Sequence, residues 1–304
     1  MCCLFGVLDH HGTLTRRQRQ RLVTALSVAA QVRGTDATGL AYISGGRLRI
    51  CKEPRPARAV HFHLPEDAAV VMGHTRMTTQ GNACRNYNNH PFSGRTAQGP
   101  FALAHNGVLY NDRYLRGKLH LPETRIETDS YVAVQLIEQQ GALDLSSLRY
   151  MAEQVEGSFV FTLLDGAGRL YVVRGDNPFC LWYFPQRRCH VYASTEAILR
   201  EGLRRSRLSL GECQTVPLEC GEILRIDDGG AILRGRFDDT RLLFSGFAGP
   251  WRSPFPRQPA DRGYLEAVKS VARTFGCTPE DIDALALQGF SPEEIEELFY
   301  CGEL

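Results

Sequence analysis

Apolar residues recur along this chain in two rhythms. Between residues 14 and 32 they fall at Leu22, Ala25, Leu26, Val28 and Ala29, with Arg and Gln on the other side. That spacing of about 3.6 residues predicts a helix. Two more helices are predicted at 128–139 and 145–155, and another at 195–203. The remaining apolar runs are short and end on turn residues. Residues 39–44 and 47–52 flank Gly45-Gly46, and 158–164 and 169–173 flank Asp165-Gly166-Ala167-Gly168. Residues 222–226 and 231–236 flank Asp227-Asp228-Gly229-Gly230, and 180–184 with 189–193 form a further pair. Each pair reads as an antiparallel hairpin. Residues 68–75 and 101–105 read as buried strands. Hairpins with helices grouped between them predict an α+β fold rather than a doubly wound parallel sheet.

The rhythm breaks at about residue 241. Gly246, Gly249, Pro250, Pro254, Pro256 and Pro259 mark a linker over 241–262. A small three-helix tail is expected over 263–304, its first helix at 264–275. Thr278-Pro279-Glu280-Asp281 and Ser291-Pro292-Glu293-Glu294 each carry an N-cap residue, Pro at the first helical position and an acid two residues on. They open the other two helices, separated by Gly289.

The 304 residues are 43% hydrophobic and 23% charged, which describes an ordinary globular chain. A net charge of +1 points away from nucleic acid and from an anionic membrane as the main partner. The 10 Cys are scattered with no CxxC pair, so no metal site is expected. Without a signal sequence or a long apolar run, a cytoplasmic protein with reduced thiols is expected.

Polar residues cluster where strands are predicted to end. Cys2 stands just before the apolar run Leu4-Phe5-Gly6-Val7-Leu8. Initiator methionine is removed efficiently before a small residue, which would put a thiol and a free α-amino group on Cys2. An amine of pKa about 7.7–8 is matched to accepting a thiol proton near neutrality. One residue would then supply nucleophile and base, unless Cys2 is simply a buried strand residue. Asn106-Gly107 offers two donors for an oxyanion, although Asn-Gly is more often a hairpin turn. Arg76 could bind a carboxylate and Asp129 an ammonium group. Their bland alternatives are a surface ion pair and a first-turn acid after Thr128.

Taken in order, these segments resemble the glutaminase domain of the class II glutamine amidotransferases, which are N-terminal nucleophile (Ntn) hydrolases. The resemblance rests on Cys2-Cys3-Leu4-Phe5-Gly6, on the segments 33–39 and 73–81, and on 89–92, 105–111 and 127–130. Later signatures fall at 156–159 and 193–199. It covers about residues 2–240. It implies a four-layer αββα sandwich of two antiparallel sheets between helices. It also implies glutamine hydrolysis through a γ-glutamyl thioester without a cofactor. Cys2 would be the nucleophile, Asn106 and Gly107 the oxyanion hole, and Arg76 and Asp129 the holders of the α-carboxylate and α-ammonium. Thr79 and His90 would line the pocket, and Arg33, Asp36, His74 and His105 would support it. Three positions depart from the family pattern: Cys3 replaces Gly, Met77 an aromatic residue, and Gln80 a His or Ala.

The 60-odd residues beyond 240 are too few for an ammonia-consuming domain of about 200 residues. The expected partners are L-glutamine and a separate ammonia-accepting synthase or transferase, with an oligomer left open. Two other readings stand beside this one. One is an Ntn amidohydrolase acting on another γ-glutamyl or small amide; the other is a non-catalytic glutamine sensor.

Overall fold

The computed structural model describes residues 2–240 and 242, residues 276–288, and separate positions between 265 and 298. The chain divides into two compact units, residues 1–247 and 248–304.

In the first unit the elements follow as β1 (Cys3–Leu8), α1 (Arg16–Ala30), β2 (Ala37–Ser44), β3 (Arg47–Glu53), β4 (Val70–Arg76), β5 (Phe92–Thr96) and β6 (Gly99–Leu109). Next come α2 (Asp112–Lys118), α3 (Tyr131–Gln140), α4 (Leu145–Gln154), β7 (Gly157–Asp165), β8 (Leu170–Arg174), β9 (Cys180–Phe184) and β10 (Cys189–Ala193). The unit closes with α5 (Glu196–Ser206), β11 (Gln214–Thr215), β12 (Glu222–Ile226) and β13 (Ile232–Arg236). One sheet runs β11-β9-β10-β1-β4-β2-β3 and the other β13-β12-β8-β7-β6-β5. Every described ladder is antiparallel.

Three apolar layers follow from strand alternation. Phe5, Val7 and Val71 face α1 and α5 on the outside of the seven-stranded sheet. Leu103, Phe161 and Val173 face α3 and α4 on the outside of the six-stranded sheet. Between the sheets Leu4, Leu8 and Met72 meet Ala102, Ala104, Val160 and Leu224. The result is the four-layer αββα sandwich, with the sheets held face to face by aliphatic packing. Thr15 caps α1 by accepting from the Gln18 amide, while Gln18 Oε1 accepts from the Thr15 amide.

The predicted hairpins form as expected, α1 and α4 lie within the spans their periodicity marks, and α5 begins within its predicted span but runs three residues past it, to Ser206. Three elements escape the sequence reading, one of them the two-residue strand β11. Helix α2 buries only Asp112 and Leu115, too little for a periodic stripe. Strand β5 is five residues long with Ser, Gly and Arg in its middle. The helix expected from residue 128 begins at Tyr131, so Asp129 precedes it.

In the second unit, α6 (Pro279–Leu287) has its predicted cap: Thr278 Oγ1 accepts from the Asp281 amide and Asp281 accepts from the Thr278 amide. Val268, Ala272, Ile282 and Ile295 form its buried cluster. The linker over 241–262 lies outside the described residues except for residue 242. So do most residues of the two flanking tail helices.

Candidate active site

The alternation that builds the core also gathers the polar residues. In β4, Val70 and Met72 point between the sheets, so His74 and Arg76 continue that face. In β6, Ala102 and Ala104 do so, and Asn106 follows them. Cys2 precedes β1 in phase with Leu4 and Leu8. Cys3 pairs with Thr75, which sets Cys2 beside Arg76. His74 Nε2 lies 3.0 Å from His105 O and ties β4 to β6. Cys2, Arg76 and Asn106 therefore meet at one end of the inter-sheet layer.

The Cys2 thiol lies 3.5 Å from Met77 O. Burial pushes it up. The chain's amino terminus, a Met77 backbone hydrogen bond and the Arg76 charge pull it down, and Asp129 pushes it up again. Cys3 belongs to the opposite, outer face, where it packs with Phe5, Leu26 and Ala193. Burial raises its thiol, opposed first by Arg33. The second thiol is thus turned away from the site.

Arg76 is buried, and burial lowers its guanidinium pKa against the charges of Cys2, Asp36 and Asp129. Its Nη1 donates to Asn89 Oδ1 at 2.6 Å and its Nη2 to Gln80 O at 2.5 Å. Further N–H donors of the fork remain for a ligand carboxylate. The Asp36 amide donates to Arg76 O, and Asp36 Oδ2 accepts from the Thr78 amide, fixing the start of the loop after β4. Thr79 is exposed on that loop.

Asp129 is buried, and its Oδ2 accepts from the Leu109 amide at 2.7 Å, just beyond Asn106-Gly107. Burial raises its pKa; the Leu109 and Ser130 hydrogen bonds and then Arg76 oppose this.

Asn106-Gly107 is not a turn. Both residues sit within β6, opposite Val160 and Phe159 of β7. The Asn106 side chain is fully buried, and neither its Oδ1 nor its Nδ2 has a partner among the described residues. Gly107 has φ 138°, and a Cβ there would lie 1.9 Å from Ser158 O. Only glycine fits.

A sequence profile described as a glutamine amidotransferase domain matches residues 74–201. The glutamine–fructose-6-phosphate aminotransferase (isomerizing) of Staphylococcus aureus strain Mu50 is 31% identical over 190 residues. The enzyme of that name from Streptococcus pyogenes serotype M6 is 29% identical over 194. Both matches cover 60% of this chain and 30% of the relative. The fold is shared with glutamine phosphoribosylpyrophosphate amidotransferase from B. subtilis, at TM-score 0.62 and 21% identity, over 78% of this chain and 49% of that one. The chain carries a class II glutamine amidotransferase domain.

The candidate site includes residues to which the sequence reading gave no role. Asn89 holds Arg76. Asn88 Nδ2 donates to Glu127 Oε2 at 2.7 Å, and the Glu127 amide donates to Asn88 Oδ1 at 2.9 Å. This pair ties the loop after β4 to the segment bearing Asp129. Lys52 Nζ donates to Asn89 O at 2.7 Å and to Pro91 O at 3.2 Å. Burial and then Arg76 bring its pKa down to about 8. Segments 89–92 and 127–130 mark Asn89 and Glu127 in the sequence; which groups they meet depends on contacts 13 to 39 residues away. Among the described residues no cluster of three His, Cys, Asp or Glu could hold a metal, and no helix is long and apolar enough to cross a membrane.

Three histidines beneath the candidate site are buried and neutral. Burial pushes His74 and His105 down to about 3 and His90 well below its ordinary value. The His90 ring lies 4.3 Å from those of His74 and Phe92, and His105 Nδ1 lies 2.7 Å from Ser130 Oγ. An unfolded histidine takes up a proton below about pH 6.5, while these do not until far lower. Their neutral burial therefore favours the fold above about pH 6.5, and that contribution is lost as pH falls. Each costs about 1.4 kcal/mol per pH unit on the descent. Replacing His90 with Gln is expected to remove that increment from the slope between about pH 4 and 6, read by denaturant unfolding. An unchanged slope would contradict the assignment.

Proposed function

We propose that this chain hydrolyses the side-chain amide of L-glutamine with Cys2 as nucleophile, releasing glutamate and ammonia. The observation that carries this reading is the Asn106 carboxamide, buried and without a partner among the described residues, on the inter-sheet face that Cys2 and Arg76 share. An idle polar group in the interior costs about 1–3 kcal/mol. A donor aimed at charge that develops only during reaction accounts for that cost.

In this reading Met1 is removed and the α-amino group of Cys2 takes the thiol proton. Sulfur bonds to the glutamine Cδ, and the carbonyl π electrons move onto oxygen between Asn106 Nδ2 and the Gly107 N–H. Phe159, opposite Gly107, turns its amide to Asp176 Oδ1 and its carbonyl to Gly175, which supports Gly107 N–H as the second donor. Collapse breaks the Cδ–N bond, the ammonium of Cys2 returns its proton to the leaving nitrogen, and ammonia departs. Water then hydrolyses the γ-glutamyl thioester through a second oxyanion in the same hole, restoring the thiol.

Arg76 is assigned the α-carboxylate and Asp129 the α-ammonium. Thr79 and His90 are assigned to the pocket wall, and Arg33, Asp36, His74 and His105 to its support. Burial disfavours the Asp129 charge in the free protein, and an ammonium partner would restore it. Ammonia passes to a separate synthase or transferase outside residues 2–240; relatives of this domain are named as aminotransferases and amidotransferases. We place the reaction in the cytoplasm, in keeping with free thiols at the nine described cysteines.

Release of glutamate and ammonia from L-glutamine, by enzyme-coupled assay, tests the reading directly. Asp129→Asn is expected to raise KM about 10- to 100-fold, the worth of one charge-assisted hydrogen bond, with a smaller change in kcat. The variant should also discriminate less against 4-carbamoylbutanoate, which lacks the α-amino group. An unaltered KM would remove Asp129 from substrate binding.

A further inference from the structure

The connection from β8 to β9, Gly175-Asp176-Asn177-Pro178-Phe179, lies behind the candidate oxyanion hole, and its Asn177 has no part in the chemistry described so far. Asn177 is buried, and its Nδ2 donates to Asn106 O at 3.0 Å. The Asn106 C=O and the Gly107 N–H belong to one planar trans peptide and point in opposite directions. A donor that fixes the carbonyl end therefore sets where the N–H end points. It also polarises that N–H, because hydrogen bonds through one amide reinforce each other. We infer that Asn177 is a positioning residue of the oxyanion hole, aiming the Gly107 N–H by gripping the far side of its own peptide. The inference rests on the glutaminase reading above.

The segment that carries Asn177 is held to the strand that faces Gly107. The Gly175 amide donates to Phe159 O at 3.0 Å, and the Phe159 amide donates to Asp176 Oδ1 at 3.0 Å. Phe159 is the ladder partner of Gly107. A Cβ on Gly107 would lie 2.7 Å from Asn177 Nδ2, so the bare α-carbon lets Asn177 reach the peptide. The buttress and the glycine are matched parts of one arrangement. Asn177 touches the peptide from behind, and the Asn106 side chain and Gly107 N–H are left to face the reacting carbonyl.

The test compares wild type with Asn177→Ala and the near-isosteric Asn177→Asp, which puts an acceptor where the donor was. Three quantities are measured: kcat and KM for L-glutamine, inhibition by the aldehyde analogue of glutamine, and melting temperature. The aldehyde forms a hemithioacetal with Cys2 whose oxygen occupies the oxyanion position. Asn177→Ala is expected to lower kcat about tenfold and to weaken aldehyde inhibition by a similar factor, with KM within about twofold. Asn177→Asp should lose at least as much while melting near the wild type. Unchanged kcat and aldehyde inhibition, a loss confined to KM, or wild-type activity in Asn177→Asp would each overturn the inference. A wild type that releases no ammonia from glutamine would instead overturn the glutaminase reading on which it rests.

Discussion

Replacing Cys2 with alanine is expected to lower glutamine hydrolysis by about 10⁴-fold or more, the scale on which removal of a catalytic nucleophile acts. Glutamine binding, which the account gives to Arg76 and Asp129, should survive and be measurable by calorimetry. The neighbouring thiol supplies the control. Cys3 packs under α1 and α5 on the other face of β1, so Cys3→Gly should keep the activity while losing some core packing. The two cysteines differ by one residue, and in a strand one residue is the whole difference between facing the site and facing away. Substantial turnover by Cys2→Ala would remove Cys2 from the mechanism. Abolished turnover in a folded Cys3→Gly variant would make Cys3 the functional thiol.

The second large effect concerns Asn106. Its carboxamide is buried with neither polar atom partnered among the described residues, a cost that the proposed oxyanion role accounts for. Asn106→Ala is expected to lower kcat about 10²–10³-fold with little change in KM, as loss of one oxyanion donor does. Its stability should move the other way from most buried truncations. Removing an unsatisfied amide offsets the small cavity it leaves, so the unfolding free energy should stay within about 1 kcal/mol of wild type or rise. Measured kcat and denaturant midpoints for this one variant separate the two contributions. A protein that lost stability by several kcal/mol and kept its kcat would show Asn106 to be a packing residue.

Much of this was legible in the sequence because local signals agree with the fold. Gly45-Gly46 between β2 and β3, Asp165 to Gly168 between β7 and β8, and the capped α1 each carry their own instructions. Cys2 stood out by its place after the initiator Met, and Arg76, Asn106 and Asp129 as members of polar clusters, but it is the ordered family resemblance that implies their roles. Asn106-Gly107 was harder: the dipeptide that favours a tight turn lies inside β6. There Gly107 meets a demand made by Ser158, some fifty residues away. Asn177 illustrates the remaining limit. Nothing near it in sequence says that it will meet Asn106 O across a 71-residue separation. Helix α2 and strand β5 were missed for a simpler reason, since each buries too few side chains to set up a rhythm.

Cys2 is proposed as the nucleophile of a glutamine-specific site. This role is tested most directly by treating the purified protein with 6-diazo-5-oxo-L-norleucine, a glutamine analogue that alkylates the attacking group, and mapping the adduct by peptide mass spectrometry. One adduct is expected, on a Cys2 that has become the first residue, suppressed by L-glutamine but not by D-glutamine. A folded, processed protein that takes up no reagent, or takes it up on another cysteine, would contradict it.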